Sequence, residues 1–334
     1  MTEMRIELKD TEWPYEYTDH DRRIARAIVF DEEGFFYFVR VRRDDLFGNA
    51  TLIETSGGGA EDRESTSSAV RRELKEELGV DVDVITKIGV VSDYYNLIHR
   101  HNINHYYLCR IRSFGEKHMT KDEIDYFHLS TLRFTYDEAV AEYEKNRETK
   151  LGRLIANREL PVLRRARELM DPILMNVTVE EVPLTDELLR ILIDFSEDWE
   201  NENSCYGYRK NERADIEGNR VFIAKTKTEV IGYLFGHREL SQKATSVMPD
   251  GTPVFELEEL YVKPEYRRKN VGKMMFYRAE EAVCGDAEYI MLSTATKNWR
   301  AILNFYLDEL DMEFWSARLF KRLNGENPAG TTDQ

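Results

Sequence analysis

Three glutamates spaced for one helical face are the residues of this chain best suited to chemistry. Glu73, Glu76 and Glu77 lie at i, i+3 and i+4, so a helix over residues 65–78 would place their carboxylates side by side. Arg72 supplies part of the positive charge that such a cluster requires. A hard divalent cation such as Mg²⁺ or Mn²⁺ would supply the rest. The alternative is a solvated acidic face laced with lysine and arginine.

The neighbouring residues predict the elements that would position these glutamates. A strand over residues 51–55 leads into the glycine run 57–59, which a turn or a close backbone approach would explain. Ser65 begins a run of four hydroxyl residues that can cap a helix, and Gly79 is a typical helix stop. We therefore expect a strand, a glycine loop and a helix in succession.

Residues 58–80 resemble the Nudix box, G-x5-E-x7-R-E-U-x-E-E-x-G-U with U aliphatic, and meet every fixed position. The resemblance extends over about residues 20–150 and implies an α/β/α sandwich with a mixed sheet. It also implies the reaction: hydrolysis of a nucleoside diphosphate linked to another moiety, by attack of metal-activated water on phosphorus. The expected partner is then a small-molecule nucleoside diphosphate derivative.

The same resemblance implies a role for each residue of the box. Arg72 would orient Glu73, which would be a metal ligand or the base that activates water, and Glu64 would steady Arg72 and the loop. Outside the box, Glu123 and Asp93 are candidates for a further assisting carboxylate. The implied metal ligands are Gly58, through its backbone carbonyl, with Glu73, Glu76 and Glu77.

Composition limits the class of protein. A chain of 334 residues is long enough for two domains, and 42% hydrophobic residues are typical of a globular protein. The net charge of −16 argues against a general binder of nucleic acid or anionic membranes and suits cations. Cys109, Cys205 and Cys284 form no C-x-x-C pair, and no apolar run approaches transmembrane length. We therefore expect a cytoplasmic enzyme without a membrane partner.

Further apolar runs in the first half predict strands at 24–30, 35–42, 82–91, 105–111 and 126–134, and helices at 137–147 and 159–170. The polar residues 93–104 are expected to form a loop that could wall a substrate pocket. His99, His101 and His105 are close in sequence, so a metal cluster is an alternative to a purely polar loop.

Pro172 breaks the helical pattern, so we place a domain boundary near residue 173. The predicted domains are residues 1–172, with a C-terminal helical extension, and residues 174–323. A tail over 324–334 is expected to be disordered. In the second half, strands are predicted at 220–225, 229–239, 255–262 and 289–293, and helices at 185–199 and from Lys273.

A basic turn follows the strand at 255–262 and precedes a helix, an arrangement that attracts phosphate. The turn, residues 267–272, resembles the R/Q-x-x-G-x-G/A pattern of the GCN5-related N-acetyltransferases (GNAT), with Asn270 replacing the middle glycine. Asparagine tolerates left-handed backbone geometry better than most residues. Residues 298–306 match the N-x-x-A-x-x-F-Y run of the same family. This resemblance covers about residues 175–323 and implies a GNAT-type mixed α/β sheet.

The GNAT resemblance implies acetyl-CoA as co-substrate, with its pyrophosphate on the amides of residues 268–273 and its pantetheine arm beside residues 259–262. The cofactor-binding residues would be Leu260, Val262, Arg267, Arg268, Lys269, Asn270, Val271, Gly272, Lys273 and Asn298.

Acetyl transfer to an amine needs an acid and a base. Tyr306 matches the usual acid of the family; otherwise it is a core aromatic residue. Strand alternation puts Glu256 and Glu258 on one face and Glu259 on the other, and we favour Glu258 as the base. An acceptor site lined by the acidic residues 197–202 would suit a small cationic amine, polyamine-like or aminoglycoside-like.

Together these patterns predict an enzyme with two activities, a Nudix hydrolase fused to an N-acetyltransferase. One alternative is that one domain is a non-catalytic module that senses a nucleotide or acetyl-CoA, for which Asn270 leaves room. Another is isomerisation of an isoprenoid diphosphate, which the Nudix fold also hosts. A homodimer remains an open alternative to a monomer.

Overall fold

The computed structural model describes residues 3–117, 129–170 and 176–320. These residues form two α/β domains, each built on its own mixed sheet, which confirms the predicted fold class. The predicted boundary near residue 173, the tail 324–334 and the candidate Glu123 lie outside the described residues. Within those ranges, no helix is both long and apolar enough to cross a membrane.

The first sheet contains the strands predicted in the first half, with β1 added near the N-terminus and β5 added at the glycine run, where a turn was predicted. They are β1 (Met4–Leu8), β2 (His20–Phe30), β3 (Phe36–Asp45), β4 (Gly48–Glu54), β5 (Gly57–Gly59), β6 (Val80–Tyr95), β7 (Arg100–Phe114) and β8 (Ser130–Phe134). The order is β1-β6-β7-β2-β3-β4, with β5 on β2 and β8 on β3. The pairs β1–β6 and β2–β7 are parallel, and the others are antiparallel.

Helices cover both faces of this sheet: α1 (Thr66–Leu78), α2 (Tyr136–Asn146) and α3 (Lys150–Leu169). Tyr106 and Tyr107 are adjacent on β7 and therefore point to opposite faces. The Tyr106 hydroxyl donates to Glu159 of α3 at 3.0 Å, whereas the Tyr107 hydroxyl is 2.6 Å from the hydroxyl of Thr66 of α1. Helices α1 and α3 therefore enclose the sheet, as an α/β/α sandwich requires.

The expectation of a polar loop over residues 93–104 is wrong. Strand β6 continues to Tyr95, and β7 resumes at Arg100 after the 3₁₀ turn Asn96–Ile98. Polar side chains are tolerated inside this hairpin because they bond to one another, as where the buried Asn104 donates to Asp93 at 2.8 Å. A hydrophobic pattern cannot reveal such strand residues.

The second sheet contains β9 (Thr178–Val182), β10 (Arg220–Lys225), β11 (Val230–Leu240), β12 (Pro253–Val262) and β13 (Tyr289–Met291). Their order is β13-β12-β11-β10-β9, antiparallel except for the parallel pair β12–β13. The helices of this domain are α4 (Asp186–Glu202), α5 (Arg213–Ile216), α6 (Val271–Val283) and α7 (Trp299–Leu303). A π-helical turn, Asn304–Asp308, follows α7.

The two domains share one hydrophobic core, because α6 packs against the first domain. The rings of Tyr107 and Tyr277 meet edge to face with centroids 6.1 Å apart. The buried guanidinium of Arg110 donates to the backbone carbonyl of Val177 at 2.8 Å. Elements of both proposed active sites therefore border the same packed interface.

Candidate active sites

The ends of α1 are fixed as the sequence predicts. Ser65 is the N-cap, and its hydroxyl accepts from the Ser68 N–H at 3.1 Å. Gly79 ends the helix in left-handed geometry with φ of 67°. These caps determine where each turn of the helix lies relative to the glycine loop.

The glycine run brings backbone against the glutamates. Gly57 has φ of 146°, and a Cβ there would lie 2.2 Å from the carbonyl oxygen of Ala25. A Cβ on Gly58 would lie 2.4 Å from Oε1 of Glu73. Only glycine allows this approach, so the loop lies directly beside the carboxylate of Glu73.

Arg72 joins residues of the Nudix-like box into one cluster. Its Nε and Nη2 donate to the two carboxylate oxygens of Glu64, at 3.1 and 3.0 Å. Its Nη1 donates to Glu73 at 2.7 Å. Its Nη2 also donates to the Gly59 carbonyl at 3.1 Å. Burial is the largest single influence and would raise the pKa of Glu64. The hydrogen bonds from Arg72 and from the Glu61 N–H, together with the charges of Arg72 and Arg23, outweigh it and leave that pKa below its usual value.

The other two glutamates flank this cluster. Glu76 lies 3.5 Å from Nη1 of Arg72. Glu77 is buried, and its Oε2 accepts from the Ser56 hydroxyl and from the Gly57 N–H, the latter at 3.0 Å. Both Glu73 and Glu77 therefore reach the glycine loop.

No three His, Cys, Asp or Glu side chains converge as a preformed metal site anywhere in the part of the chain that the structure describes. The donor set itself nonetheless suits a hard divalent ion, since carboxylate and backbone oxygens are the ligands that Mg²⁺ prefers. Glu73 and Glu77 already meet at the loop that carries the Gly58 carbonyl. These residues fit the metal that the box implies.

The alternative of a histidine metal cluster is wrong for the described residues. His101 lies 2.7 Å from Asp21, and the ring of His99 stacks on Tyr17. His105 is partly buried, and this burial lowers its pKa to about 4. The candidate Asp93 is engaged elsewhere, since it forms an ion pair with the buried Arg158 at 3.0 Å on the α3 side.

In the second domain, the basic turn adopts the geometry that the glycine pattern requires. Asn270 is left-handed, with φ of 62°, and leads directly into α6 at Val271. Arg268 is exposed, and Gly272 lies against Leu260 and Phe305. The N-terminal amides of α6 are thus the predicted anion site, two residues earlier than the predicted helix start.

The side chains of two predicted cofactor residues bind within the protein. Arg267 donates to the Val262 carbonyl at 2.7 Å and to Glu202 at 2.8 Å. Lys273 contacts Thr86 of the first domain at 3.0 Å and Glu309 at 2.6 Å. Any anion at this turn would therefore meet backbone N–H groups first.

The remaining predicted cofactor residues surround the same turn. Lys269 lies over the ring of Tyr266, at 5.9 Å, and Asn298 immediately precedes α7. Leu260 packs with the core beneath α6. The sheet also opens here: β12 pairs with β13 only as far as Glu256, yet it continues to Val262.

The expected orientation of Glu259 is wrong because of a β-bulge in β12. Phe235 and His237 lie two apart on β11 and share a face, and their partners are Glu259 and Glu256. Glu258 is the extra residue of the bulge, so all the facing positions after it are shifted by one. Glu256 and Glu259 therefore lie on the same face.

Sequence reasoning missed the importance of Glu259. Its Oε2 accepts from Tyr233 at 2.8 Å, from Asn211 at 2.9 Å and from Tyr208 at 3.3 Å. Burial raises the pKa of Glu259 although these hydrogen bonds act in the opposite direction. Glu258, the predicted base, is about half exposed, with a carboxylate oxygen 3.5 Å from Nδ1 of His237.

Tyr306, the predicted acid, lies in the π-helical turn between the rings of Phe276 and Phe305. Burial raises its pKa to about 12, so the phenol stays protonated near neutrality. Within the acidic stretch 197–202, Glu197 pairs with Lys210 at 3.3 Å and Glu202 pairs with Arg267. Part of the expected acidic acceptor wall is therefore already neutralised.

Comparison with known families agrees with both resemblances. The NUDIX domain profile matches residues 20–154, and that of the acetyltransferase (GNAT) family matches residues 186–310. No curated protein matches the chain.

Solved structures match each half. A NUDIX hydrolase from Nitrosomonas europaea is 17% identical, with 37% of this chain and 78% of that chain covered and a TM-score of 0.32. An acetyltransferase from Trypanosoma brucei is 14% identical, with 44% and 100% covered and a TM-score of 0.33. An aminoglycoside acetyltransferase from an uncultured soil metagenomic sample is 16% identical, with 44% and 97% covered and a TM-score of 0.33.

Proposed function

We propose that this chain, which contains an N-terminal NUDIX domain and a C-terminal GNAT domain, hydrolyses a nucleoside diphosphate linked to another moiety and acetylates an amine. The observation that carries the hydrolase is the Arg72 cluster. One guanidinium holds Glu64, Glu73 and the Gly59 carbonyl together beside the glycine loop.

The hydrolase residues divide into those that hold an ion and those that move a proton. Gly58, Glu76 and Glu77, with Glu73 as a further ligand, would hold Mg²⁺ or Mn²⁺. When bound, such an ion neutralises phosphate charge and acidifies water. If Glu73 is the base, its carboxylate takes the proton of the attacking water while the phosphorus–oxygen bond to the leaving phosphate breaks. Arg72 keeps that carboxylate oriented.

The second activity rests on a separate observation, the left-handed Asn270 that opens α6 where the β12–β13 pairing ends. Acetyl-CoA would bind there by its pyrophosphate. The amine nitrogen attacks the acetyl carbonyl, the carbon–sulfur bond breaks, and Tyr306 donates a proton to the departing thiolate. Glu258 is the base that the strand pattern predicts, but the fixed, partly buried carboxylate of Glu259 is the better candidate.

The acceptor that best suits these carboxylates is a cationic amine. Glu256 and Glu259 share the face of the sheet that also carries the bulged Glu258, so several carboxylates line one side of the opening. A carboxylate beside aromatic rings also favours an alkylammonium group. Trp199 and Tyr208 provide such rings, with centroids 4.6 Å apart.

A phosphate-release screen tests the hydrolase. Wild-type protein would be incubated with Mg²⁺ or Mn²⁺ and nucleoside triphosphates, ADP-ribose, NADH, coenzyme A, nucleotide sugars or dinucleoside polyphosphates, with phosphatase added to reveal monoesters. Glu77→Gln should be inactive, while Lys75→Gln, on the exposed side of the same helix, should match wild type. If folded protein releases no phosphate from any compound of the panel, a sensing role for this domain is favoured. Isomerisation of an isoprenoid diphosphate without phosphate release would favour the isomerase.

Thiol release from acetyl-CoA tests the transferase, with polyamines and aminoglycosides as acceptors. Acetyl-CoA binding without turnover of any amine would favour a sensing module in this half. Turnover that needs Glu259 would support catalysis here.

A further inference from the structure

The first turn of α1 takes its negative charge from the other domain. This turn contains no acidic residue of its own, although the exposed N–H groups of a helix N-terminus favour a nearby anion. Glu280 of α6 supplies one. Its carboxylate accepts from the Ser67 hydroxyl at 2.6 Å and from the hydroxyl of the N-cap Ser65 at 3.2 Å.

The same carboxylate also reaches the second turn of α1. Oε2 of Glu280 lies 3.4 Å from Nη1 of Arg71, and Nη2 of Arg71 donates to the backbone carbonyl of Tyr277 at 2.6 Å. Ser67 and Arg71 are four residues apart and therefore share one helical face. Two successive turns of α1 thus form hydrogen bonds or an ion pair with one turn of α6.

The contacts of Glu280 with Ser67 and Arg71 are sheltered from water. Ser67 is 4% exposed, and the side chains of Arg71 and Glu280 are 13% and 20% exposed. Sheltered charged hydrogen bonds are stronger and less screened by salt than surface pairs. These hydrogen bonds and the ion pair are therefore strong enough to influence where α1 lies.

We propose that Glu280, although it belongs to the GNAT domain, is a positioning residue for the hydrolase site. The inference rests on the proposed hydrolase function. Glu280 holds the face of α1 that carries Ser67 and Arg71, and this fixes the neighbouring face that carries Glu73, Glu76 and Glu77 against the glycine loop.

A metal site tolerates only small displacements of its ligands, so the position of α1 matters for hydrolysis. Metal ligands and bases act only when held within a fraction of an ångström of their working positions. A small rotation of α1 would move all three glutamates together relative to Gly58. The hydrolase site is therefore complete only when α6 of the second domain is docked on α1.

The test compares Glu280→Ala and Glu280→Gln with Glu281→Gln in the full chain. Glu281 is the matched control, because it lies next to Glu280 but its ion pairs, both 2.7 Å, go to Arg112 and Arg278. Mn²⁺ binding is measured without substrate by electron paramagnetic resonance of the free ion. For the substrate found in the screen, kcat and KM are measured separately, and melting temperature reports folding.

Glu280→Ala should weaken Mn²⁺ binding or lower kcat by about ten- to a hundredfold, the usual cost of losing a residue that orients metal ligands. KM should change little, and Glu280→Gln should be intermediate because it can still accept from Ser67. Glu281→Gln should match wild type in Mn²⁺ affinity, kcat and KM, because its pair with Arg112 joins α6 to β7 and not to α1. Loss of that pair should lower only the melting temperature. If Glu280→Ala does not fold, Glu280→Gln and Ser67→Ala provide the comparison.

Equal Mn²⁺ affinity and equal kcat in the Glu280 and Glu281 variants would overturn the inference. Failure of the proposed function is a distinct result: wild-type protein would then release no phosphate from any substrate. In that case the Mn²⁺ titration alone would still decide whether Glu280 positions the glutamates.

Discussion

Partly buried carboxylates in the two domains have pKa values shifted in opposite directions. In the first, Arg72 donates to Glu64 and Glu73, and the pKa of Glu64 lies below its usual value. In the second, the partners of Glu259 include the neutral Tyr233 and Asn211, and burial raises its pKa. One site stabilises carboxylate charge, and the other makes that charge costly.

The difference matches two kinds of chemistry. In the first domain, the guanidinium of Arg72 stabilises the charge of Glu64 and also donates to Glu73, beside residues suited to holding a cation. A carboxylate whose proton affinity is raised, yet whose position is fixed by three donors, is suited to taking a proton from an amine. Variants that remove one of these carboxylates, or that change the backbone geometry of the anion site, test this comparison between the two domains.

Glu73→Gln should produce the largest effect. Loss of a general base lowers the rate by about 10²- to 10⁴-fold, and loss of a metal ligand would act in the same direction. Acetyl transfer by the same preparation should be unchanged. The check is steady-state hydrolysis with Lys75→Gln as the control, and a loss below tenfold would contradict the assigned role of Glu73.

Glu259→Gln should lower acetyl transfer by about 10²-fold or more, because an amide cannot accept the ammonium proton. Glu258→Gln should cost much less. The base must be ionised, so the wild-type rate should rise with pH through the raised pKa of Glu259. Initial rates of thiol release over pH would show this. A larger loss in Glu258→Gln than in Glu259→Gln would restore Glu258 as the base.

Substitutions of Asn270 should have a smaller effect, on the binding of acetyl-CoA at the anion site. Asn270→Gly should change the acetyl-CoA dissociation constant little, since glycine adopts left-handed geometry freely. Asn270→Val should weaken binding roughly tenfold, because that geometry costs a β-branched residue about 1–2 kcal/mol. Calorimetric titration measures both. Equal binding by the two variants would show that this backbone geometry does not contribute to affinity.

The smallest effects concern stability. Glu64→Gln should lower the free energy of unfolding near pH 7 by about 1 kcal/mol, the scale of a partly screened hydrogen-bonded ion pair. The folded pKa of Glu64 is lowered, so its contribution is present above the unfolded pKa and disappears as pH falls through the folded value. Urea unfolding at pH 7 and at acidic pH measures this difference.

Glu259→Gln should change the free energy of unfolding in the opposite direction. The folded pKa of Glu259 is raised, so its ionisation destabilises the protein above that pKa and has no such cost below the unfolded pKa. The variant should therefore be as stable as wild type, or more stable, near pH 7. Lower stability than wild type at pH 7 would contradict the contrast between the two sites.

The hydrolase cluster was predictable from sequence because its members lie within one loop and one helix. Spacing along a helix fixes which side of it Glu73, Glu76 and Glu77 occupy, and Arg72 lies among them. The second site was less predictable. A single bulged residue, Glu258, moves Glu259 to the face that alternation assigns to Glu256, and only the pairing register reveals it.

Contacts between distant parts of the chain were not predictable from local pattern. Glu280 lies more than two hundred positions beyond Ser67, and nothing in either segment signals the other. The hairpin over residues 93–104 was missed for a related reason. Its polar side chains satisfy one another only after the strands have paired, as Asn104 does with Asp93.

The most direct test of the account measures both reactions on one purified preparation, with and without EDTA. Phosphate release should require Mg²⁺ or Mn²⁺ and be lost in Glu77→Gln, whereas thiol release from acetyl-CoA should survive EDTA and be lost in Glu259→Gln. This outcome would establish two distinct sites, one for each reaction. Phosphate release that persists in EDTA, or in Glu77→Gln, would contradict the central claim that the Nudix glutamates hold a catalytic metal.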